Sequence, residues 1–174
     1  VVATLDAAVA EERRAALEAT AARLGATIVP LAAPGTSDDE LLTAIDAIVA
    51  EHQPAIVYTH PASDESAAQR RVHRAVVEAA PDASRISCFQ STGSSIDFAP
   101  TLFVDIDDVL DRKVAALEAW GGDRRAADLV RSNAVYWSRF GTGRACEPFE
   151  LLRDAVSTGV DRARLEPSTA VEPA

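Results

Sequence analysis

Short apolar segments rich in β-branched residues alternate along this chain with longer segments of helical periodicity. The apolar segments predict strands at residues 1–5, 27–31, 55–59, 85–90 and 101–106. The segments between them are long enough to form crossover helices, which join strands that run in the same direction. This alternation predicts an α/β fold, a Rossmann-like three-layer sandwich in which a mostly parallel sheet carries helices on both faces.

The predicted helices carry boundary signals of their own. Ser37 and Glu40 have the spacing of a capping box, which predicts that the second helix begins there. Gly25 and Gly121 are typical of the residues that end a helix. The last helix is expected to contribute several large apolar side chains to the core, namely Leu129, Val130, Val135, Tyr136 and Trp137.

The length of 174 residues fits one domain with a sizeable core. We expect this domain to span residues 1–156 and residues 157–174 to form a mobile C-terminal tail. Seventeen basic and 27 acidic residues give a net charge of −10, which disfavours a nucleic-acid partner. No apolar run approaches the ~20 residues of a membrane helix. We therefore expect a soluble, cytoplasmic protein without a membrane span.

The sequence lacks the glycine-rich dinucleotide motif, the P-loop and the HExxH and GxSxG motifs. Polar residues crowd instead behind the third predicted strand. His60 and Asp64 lie there, together with three hydroxyl side chains, Thr59, Ser63 and Ser66. Because ligands of open α/β sheets bind beyond the carboxyl ends of the strands, this loop is the candidate site.

Several segments resemble one known family in the right order. Tyr58-Thr59-His60 closes the third strand, and residues 98–106 read Phe-Ala-Pro-Thr-Leu-Phe-Val-Asp-Ile, followed by Asp-Arg-Lys at 111–113. Residues 131–149 contain Tyr-Trp and Arg-Phe pairs and end in Ala-Cys-Glu-Pro-Phe. From residue 1 to about 153 the chain resembles the LmbE/PIG-L family of zinc-dependent N-acetylsugar deacetylases.

The chain departs from this family at the metal motifs. The family takes two zinc ligands from a His-Pro-Asp-Asp-Glu motif after its first strand, and neither the motif nor that strand is found in the 174 residues. The third ligand is the histidine of a later Asp-His pair, where this chain has Ala68 and Gln69, and Ser66 replaces a preceding histidine. Because an amide oxygen is a weak zinc ligand, the resemblance implies a site without metal.

Three interpretations of the altered loop remain open. In the first, the loop is an ordinary helix start, because Ser66 and Gln69 have capping-box spacing. In the second, it is a polar ligand pocket without metal. In the third, it keeps a metal with ligands from elsewhere. The candidate pocket contains Thr59, His60, Asp64, Ser66, Gln69, Arg70 and Trp120. Trp120 either lines this pocket or packs elsewhere. We interpret His52 and His73 as structural, with His73 facing solvent or a neighbouring helix.

Three functions follow from these interpretations. The first is a catalytically inactive relative of N-acetylglucosaminyl deacetylases that needs no cofactor and acts as a binding or partner subunit. Its partner would be a sugar-containing molecule, a second copy or an active paralogue. The second is a zinc-dependent N-deacetylase whose first metal motif lies outside these residues. The third is a metal-independent enzyme with His60 and Asp64 as an acid–base pair. A sheet without its first strand has an open gap, so we expect preceding residues or an association to fill it.

Overall fold

The computed structural model describes residues 2–4, 13–31 and 35–155. The expected tail at 157–174 and the predicted start of the first helix lie outside the described residues. The described elements, in chain order, are β1 Val2–Thr4, α1 Arg14–Leu24, β2 Ile28–Pro30, α2 Asp38–His52, β3 Ile56–Thr59, α3 Ala67–Ala79, β4 Arg85–Phe89, β5 Leu102–Asp105, α4 Leu110–Trp120, α5 Arg124–Ser138 and β6 Cys146–Asp154.

The strands form two sheets. β1 and β2 pair in parallel, and the other sheet has the order β3-β4-β6-β5. β3 and β4 are parallel, whereas β6 is antiparallel to both of its neighbours. The α/β class is confirmed, but the described strand pairs divide equally between parallel and antiparallel. The reason is that two successive helices, α4 and α5, separate β5 from β6. A second helix reverses the direction that a single crossover helix would have given.

The crossover helix α2 is the chain connection between the two sheets, because it follows β2 and precedes β3. No pairing between described strands connects β1 or β2 with β3. Helix α2 packs against α3, α1 packs against α4, and α5 packs against α4 and β6. None of the helices in the described ranges is both long enough and apolar enough to cross a membrane.

Three small clusters of buried side chains form the core. Between α2 and α3, Leu41 and Ile45 meet Ala75 and Ala79. A second cluster surrounds Ile86 of β4, and the third contains Ile106, Ala134 and Ala145. Small residues at these contacts bring helices and strands close together.

The last helix leaves exposed three of the five large side chains that its sequence predicts for the core. Leu129 and Val135 of α5 are 61% and 60% exposed, and Tyr136 is half exposed. The buried residues of α5 are instead Ala127 and Ala134. A face of alanines lets the helix approach its neighbours closely, which leaves these three larger side chains on the outside.

Helix α2 begins with the predicted capping box. The Ser37 hydroxyl oxygen accepts a hydrogen bond from the backbone N–H of Glu40, and the Glu40 carboxylate accepts one from the backbone N–H of Ser37. These bonds satisfy two N–H groups that would otherwise lack partners at the helix start. The hydrogen bonds that the Glu40 carboxylate accepts from the backbone N–H and the hydroxyl of Ser37 hold the pKa of Glu40 below its ordinary value.

Replacing Ser37 with alanine should therefore destabilise the protein by about 1 kcal/mol, the usual cost of losing an N-cap side chain. Urea denaturation followed by circular dichroism measures this change. Ser132→Ala is the matched control, because Ser132 is an exposed residue inside α5. Equal stability of the Ser37→Ala protein and the parent would contradict the role of the cap.

Candidate functional site

The candidate site lies where two parallel strands end side by side. β3 ends at Thr59, and β4 ends at Phe89 beside it. The chain that follows β3 then contacts the chain that follows β4. Asp64 forms a bridge with Ser94, and the backbone N–H of Glu65 donates to the carbonyl oxygen of Gly93 at 2.8 Å. The two loops therefore form one polar cluster at the carboxyl edge of the sheet.

The Asp64 carboxylate is the centre of this cluster and is only 1% exposed. Its Oδ1 accepts from the backbone N–H of Ser66 at 2.9 Å, and its Oδ2 accepts from the Ser91 hydroxyl at 2.6 Å. With its side-chain amide oriented to donate, the Gln69 nitrogen lies 2.6 and 2.7 Å from the two carboxylate oxygens. Donors of this chain thus surround a buried charge, which is the condition for burying it at all.

The loop after β4 lies so close to Asp64 that it requires a glycine at position 93. A Cβ built on Gly93 would lie 2.9 Å from Asp64 Oδ1 and 3.3 Å from the Gln69 side chain. The backbone N–H of Gly93 also donates to the Ser91 hydroxyl oxygen at 3.1 Å. Any larger residue at this position would push the loop away from the carboxylate.

The start of α3 forms half of the predicted capping box. The Ser66 hydroxyl oxygen accepts from the backbone N–H of Gln69 at 3.4 Å, as an N-cap does. The Gln69 side chain, however, turns to Asp64, and the Asp64 carboxylate takes the backbone N–H of Ser66 in its place. Arg70 closes the loop by donating from Nη1 to the carbonyl oxygens of Asp64 and Glu65 at 2.5 and 2.8 Å.

His60 lies at the other side of the cluster, next to the ring of Phe89 at a centroid distance of 4.8 Å. Its Nδ1 is buried without a hydrogen-bond partner among the described residues, and so is the hydroxyl oxygen of Thr59. Burial lowers the pKa of His60 from its ordinary value; the Asp64 charge opposes this effect, and His73 adds to it. The burial of His60 therefore favours its neutral form.

His73, which we interpret as structural, does not face solvent. It is only 9% exposed, and its Nδ1 lies 2.7 Å from the carbonyl oxygen of His60. Because a carbonyl oxygen can only accept, Nδ1 carries the proton. His73 thus ties α3 to the end of β3.

The lowered pKa of His60 makes part of the stability depend on pH. The folded protein binds this proton more weakly than the unfolded chain does, so stability decreases as the pH falls below about 6.5, the ordinary value. An NMR titration of the His60 ring should give a midpoint below 6.5. His60→Asn should remove part of the acid sensitivity of unfolding, whereas His52→Asn, at an exposed helix end, should not. A midpoint above the ordinary value would contradict the burial of this ring.

The sequence makes Trp120 a candidate for the same pocket, but its described contact lies elsewhere. At the end of α4, its ring is covered by the guanidinium group of Arg13 at 5.4 Å. This is a cation–π contact that joins α4 to the start of α1. The described contacts place Trp120 in helix packing rather than beside Asp64.

A second polar group beside the site was missed in the sequence. The Gln90 side-chain oxygen, next to the end of β4, accepts from Asn133 Nδ2 and Trp137 Nε1, both at 2.9 Å. The Trp137 ring contacts the rings of Phe103, Tyr136 and Phe140. The sequence signal that could have revealed this group is the polar loop after β4. A strand that runs parallel to β3 beside it ends at the same edge of the sheet, so its loop lies next to the site.

These residues do not fit a zinc ion. Within the described ranges, no three side chains of His, Cys, Asp or Glu come together as a metal would require. The oxygens of Asp64 already accept hydrogen bonds, and Gln69 supplies a donor where a metal needs a lone pair. His60 and Asp64 also share no described hydrogen bond, although the Asp64 charge favours the protonated form of His60.

Comparison with solved structures gives clear matches, all with probability 1.00. The conserved protein TT1542 from Thermus thermophilus is 19% identical with a TM-score of 0.75, and the match covers 86% of this chain and 80% of that one. N,N′-diacetylchitobiose deacetylase from Pyrococcus horikoshii is 18% identical with a TM-score of 0.66, covering 87% and 67%. The chain has an LmbE/PIG-L-like fold.

The same fold also serves other chemistry. GalB, the 4-carboxy-2-hydroxymuconate hydratase of Pseudomonas putida, is 20% identical with a TM-score of 0.69, covering 82% of this chain and 71% of that one. No protein-family model and no curated protein matches the sequence. At these identities the likeness establishes the fold, and function has to be argued from the site.

Proposed function

We propose that this chain is a catalytically inactive, metal-lacking relative of N-acetylglucosaminyl deacetylases that acts as a binding or partner subunit. The observation that carries the proposal is the saturation of Asp64. Its carboxylate accepts from Ser66, Ser91 and Gln69, all within its own chain. A zinc ion would have to displace these donors before it could bind.

Position 69 supports the same conclusion. Where the resembling family has an imidazole that donates its lone pair to zinc, the Gln69 amide uses its N–H groups to hold a neighbouring carboxylate. Without a bound metal there is no group to lower the pKa of a water molecule to neutral pH. The loop instead fixes the start of α3 against the loop after β4.

A sugar-containing molecule is the proposed ligand. Next to the cluster, Gln90, Asn133 and Trp137 form a group of amide and indole side chains, with Tyr136 half exposed beside Trp137. Sugars offer hydroxyl groups for hydrogen bonds and apolar ring faces for aromatic contacts, and such residues provide both kinds of contact. In this proposal residues 1–156 form the binding domain, and the protein works in the cytoplasm.

Two measurements test the proposal on the purified protein. Elemental analysis after dialysis against zinc should find far less than one zinc per chain, and stoichiometric zinc would overturn the metal-lacking assignment. Calorimetric titration with N-acetylglucosamine and N,N′-diacetylchitobiose should show saturable binding. Trp137→Phe should weaken this binding several-fold, which corresponds to the free energy of about one hydrogen bond. Trp120→Phe should leave the binding unchanged. Absence of sugar binding would contradict the choice of ligand.

One observation favours a second candidate, a zinc-dependent N-deacetylase. Burial favours the neutral form of His60, and its Nδ1 lacks a partner among the described residues, so it is available as a ligand or base. This enzyme would need its other metal ligands from residues outside the described ranges. Acetate release from N,N′-diacetylchitobiose in the presence of zinc, abolished by His60→Ala and not by His52→Ala, would favour it over the binding function.

A further inference from the structure

The segment formed by α5 and the turn before β6 is basic, although the protein as a whole is acidic. Residues 124–144 contain five arginines and a single acidic residue, Asp128, which gives the segment a charge of +4. Since the whole chain has a net charge of −10, its remaining residues carry −14. An anionic ligand is therefore repelled by most of the chain and attracted by this segment.

Arg139 differs from most of the other arginines of this segment. Three of those four form ion pairs with carboxylates of the chain, namely Arg124–Asp128, Arg131–Asp111 and Arg144–Asp107. Arg139 is exposed and has no carboxylate partner among the described residues. Its positive charge is therefore available to a ligand.

Two aromatic rings hold the guanidinium group of Arg139. Its Cζ lies 4.9 Å from the centre of the Tyr136 ring and 4.6 Å from the centre of the Phe140 ring, and both rings are about half exposed. A cation is attracted to the face of such a ring, and this contact restricts its position. The N–H groups at the edge of the guanidinium plane match the two oxygens of a carboxylate or phosphate.

The same aromatic cluster extends to the polar group at the end of β4. The rings of Tyr136 and Trp137 meet edge to face at 4.9 Å, and Trp137 Nε1 donates to Gln90 Oε1 at 2.9 Å. Because an indole N–H can only donate, the Gln90 atom that faces it is the oxygen. Asn133 Nδ2 donates to the same oxygen. The Gln90 nitrogen and the Asn133 oxygen are then left without partners among the described residues.

These contacts place three kinds of group in succession on one surface. The first is a free donor on Gln90 beside a free acceptor on Asn133, which suits sugar hydroxyls because each hydroxyl can donate and accept. The second is the half-exposed ring of Tyr136, which suits the apolar face of a sugar ring. The third is the guanidinium group of Arg139, which a neutral sugar would leave unused.

We propose that the ligand of this surface is an acidic sugar, whose ring lies on Tyr136 and whose carboxylate or phosphate binds the guanidinium group of Arg139. This inference rests on the sugar-binding function proposed above and adds the charge of the ligand to it. The anionic group gains two charge-assisted hydrogen bonds that a neutral sugar cannot form. Because Arg139 is exposed, dissolved salt weakens this gain.

Calorimetric titration of the purified full chain with three sugars tests the proposal. N-acetylglucosamine is the neutral probe, N-acetylmuramic acid is the same sugar with a carboxylate on an added lactyl group, and N-acetylglucosamine 6-phosphate carries a phosphate. At low ionic strength, at least one acidic sugar should bind about fivefold more tightly than the neutral one, or better. Added salt should reduce this preference. The acidic sugar that binds more tightly identifies the anionic group.

Variants of two arginines locate the anionic group. With Arg139→Gln, the acidic sugars should bind no more tightly than N-acetylglucosamine. Arg139→Lys keeps the charge and loses the planar fork, so it should retain only part of the preference. Arg125→Gln is the matched control, because Arg125 is an exposed arginine on the same helix and the change in charge is the same. It should leave the preference intact, and circular dichroism checks that each variant is folded.

The possible failures separate this inference from the function on which it rests. Equal affinity for neutral and acidic sugars, or a preference that survives Arg139→Gln, would overturn the inference and leave sugar binding standing. An equal loss of preference in Arg125→Gln would mean that the charge of the segment acts at long range, and it would overturn the role of Arg139. Absence of binding by all three sugars would overturn the inference together with the sugar-binding function.

Discussion

Asp64→Ala should destabilise the protein by about 3 kcal/mol or more, the largest effect that we expect from a single substitution. The change removes a buried carboxylate and leaves three groups of donors without an acceptor, the Ser66 N–H, the Ser91 hydroxyl and the Gln69 amide. A buried donor that loses its partner costs about 1–3 kcal/mol, and part of this cost is recovered if water enters. The expected loss is a large share of the total stability of a domain of this size.

Urea denaturation followed by tryptophan fluorescence measures this loss. The matched control is Asp97→Ala, because Asp97 is an exposed carboxylate in the polar loop after β4. We expect the control to change stability by less than about 0.5 kcal/mol, as is usual for exposed positions. If Asp64→Ala were as stable as the control, Asp64 would not hold the two loops together, and the carboxylate would be free for another role.

Leu41→Ala should cost about 2–4 kcal/mol, which is within the range for buried leucines. Leu41 is 2% exposed and packs with Ile45, Ala75 and Ala79 between α2 and α3. Its buried neighbours on the α3 side, Ala75 and Ala79, are too small to expand into the space that the substitution leaves. A cavity therefore remains, and its surrounding atoms lose their van der Waals contacts.

The same substitution on an exposed helix face provides the control. Leu129 is 61% exposed on α5, so Leu129→Ala should change stability by less than about 0.5 kcal/mol. Thermal unfolding of both variants by calorimetry gives the comparison. A loss at Leu129 as large as that at Leu41 would mean that α5 buries its outer face against something that the described residues do not include.

Local features of this fold were predictable from the sequence. The strand segments, the capping box at Ser37 and the position of the loop after β3 follow from periodicity and spacing, which act within a few residues. The position of β6 between β4 and β5 was not predicted. It depends on the direction in which two helices return the chain, and no local pattern records that direction.

The candidate site divides in the same way. The position of the site at the end of β3 and the N-cap at Ser66 could be predicted from sequence. The partners of Asp64 could not, because Ser91 lies 27 residues away and is brought in by pairing between β3 and β4. Gln69 shows most clearly what local spacing cannot predict. Its spacing suggested a bond to the cap, and the nearby buried charge attracted its amide instead.

The place of β6 in its sheet has a consequence for how this chain emerges from the ribosome. β5 pairs with β6 and with no other described strand, and β6 ends at Asp154. Residues 102–105 therefore have no strand to pair with until the segment some forty positions later has been synthesised. During that interval the apolar side chains of β5 and of the still unfilled edge of β4 are exposed together. Translation speed between these two segments, and chaperones that bind extended apolar chains, should accordingly influence the yield of folded protein more than they would for a sheet assembled strand by strand.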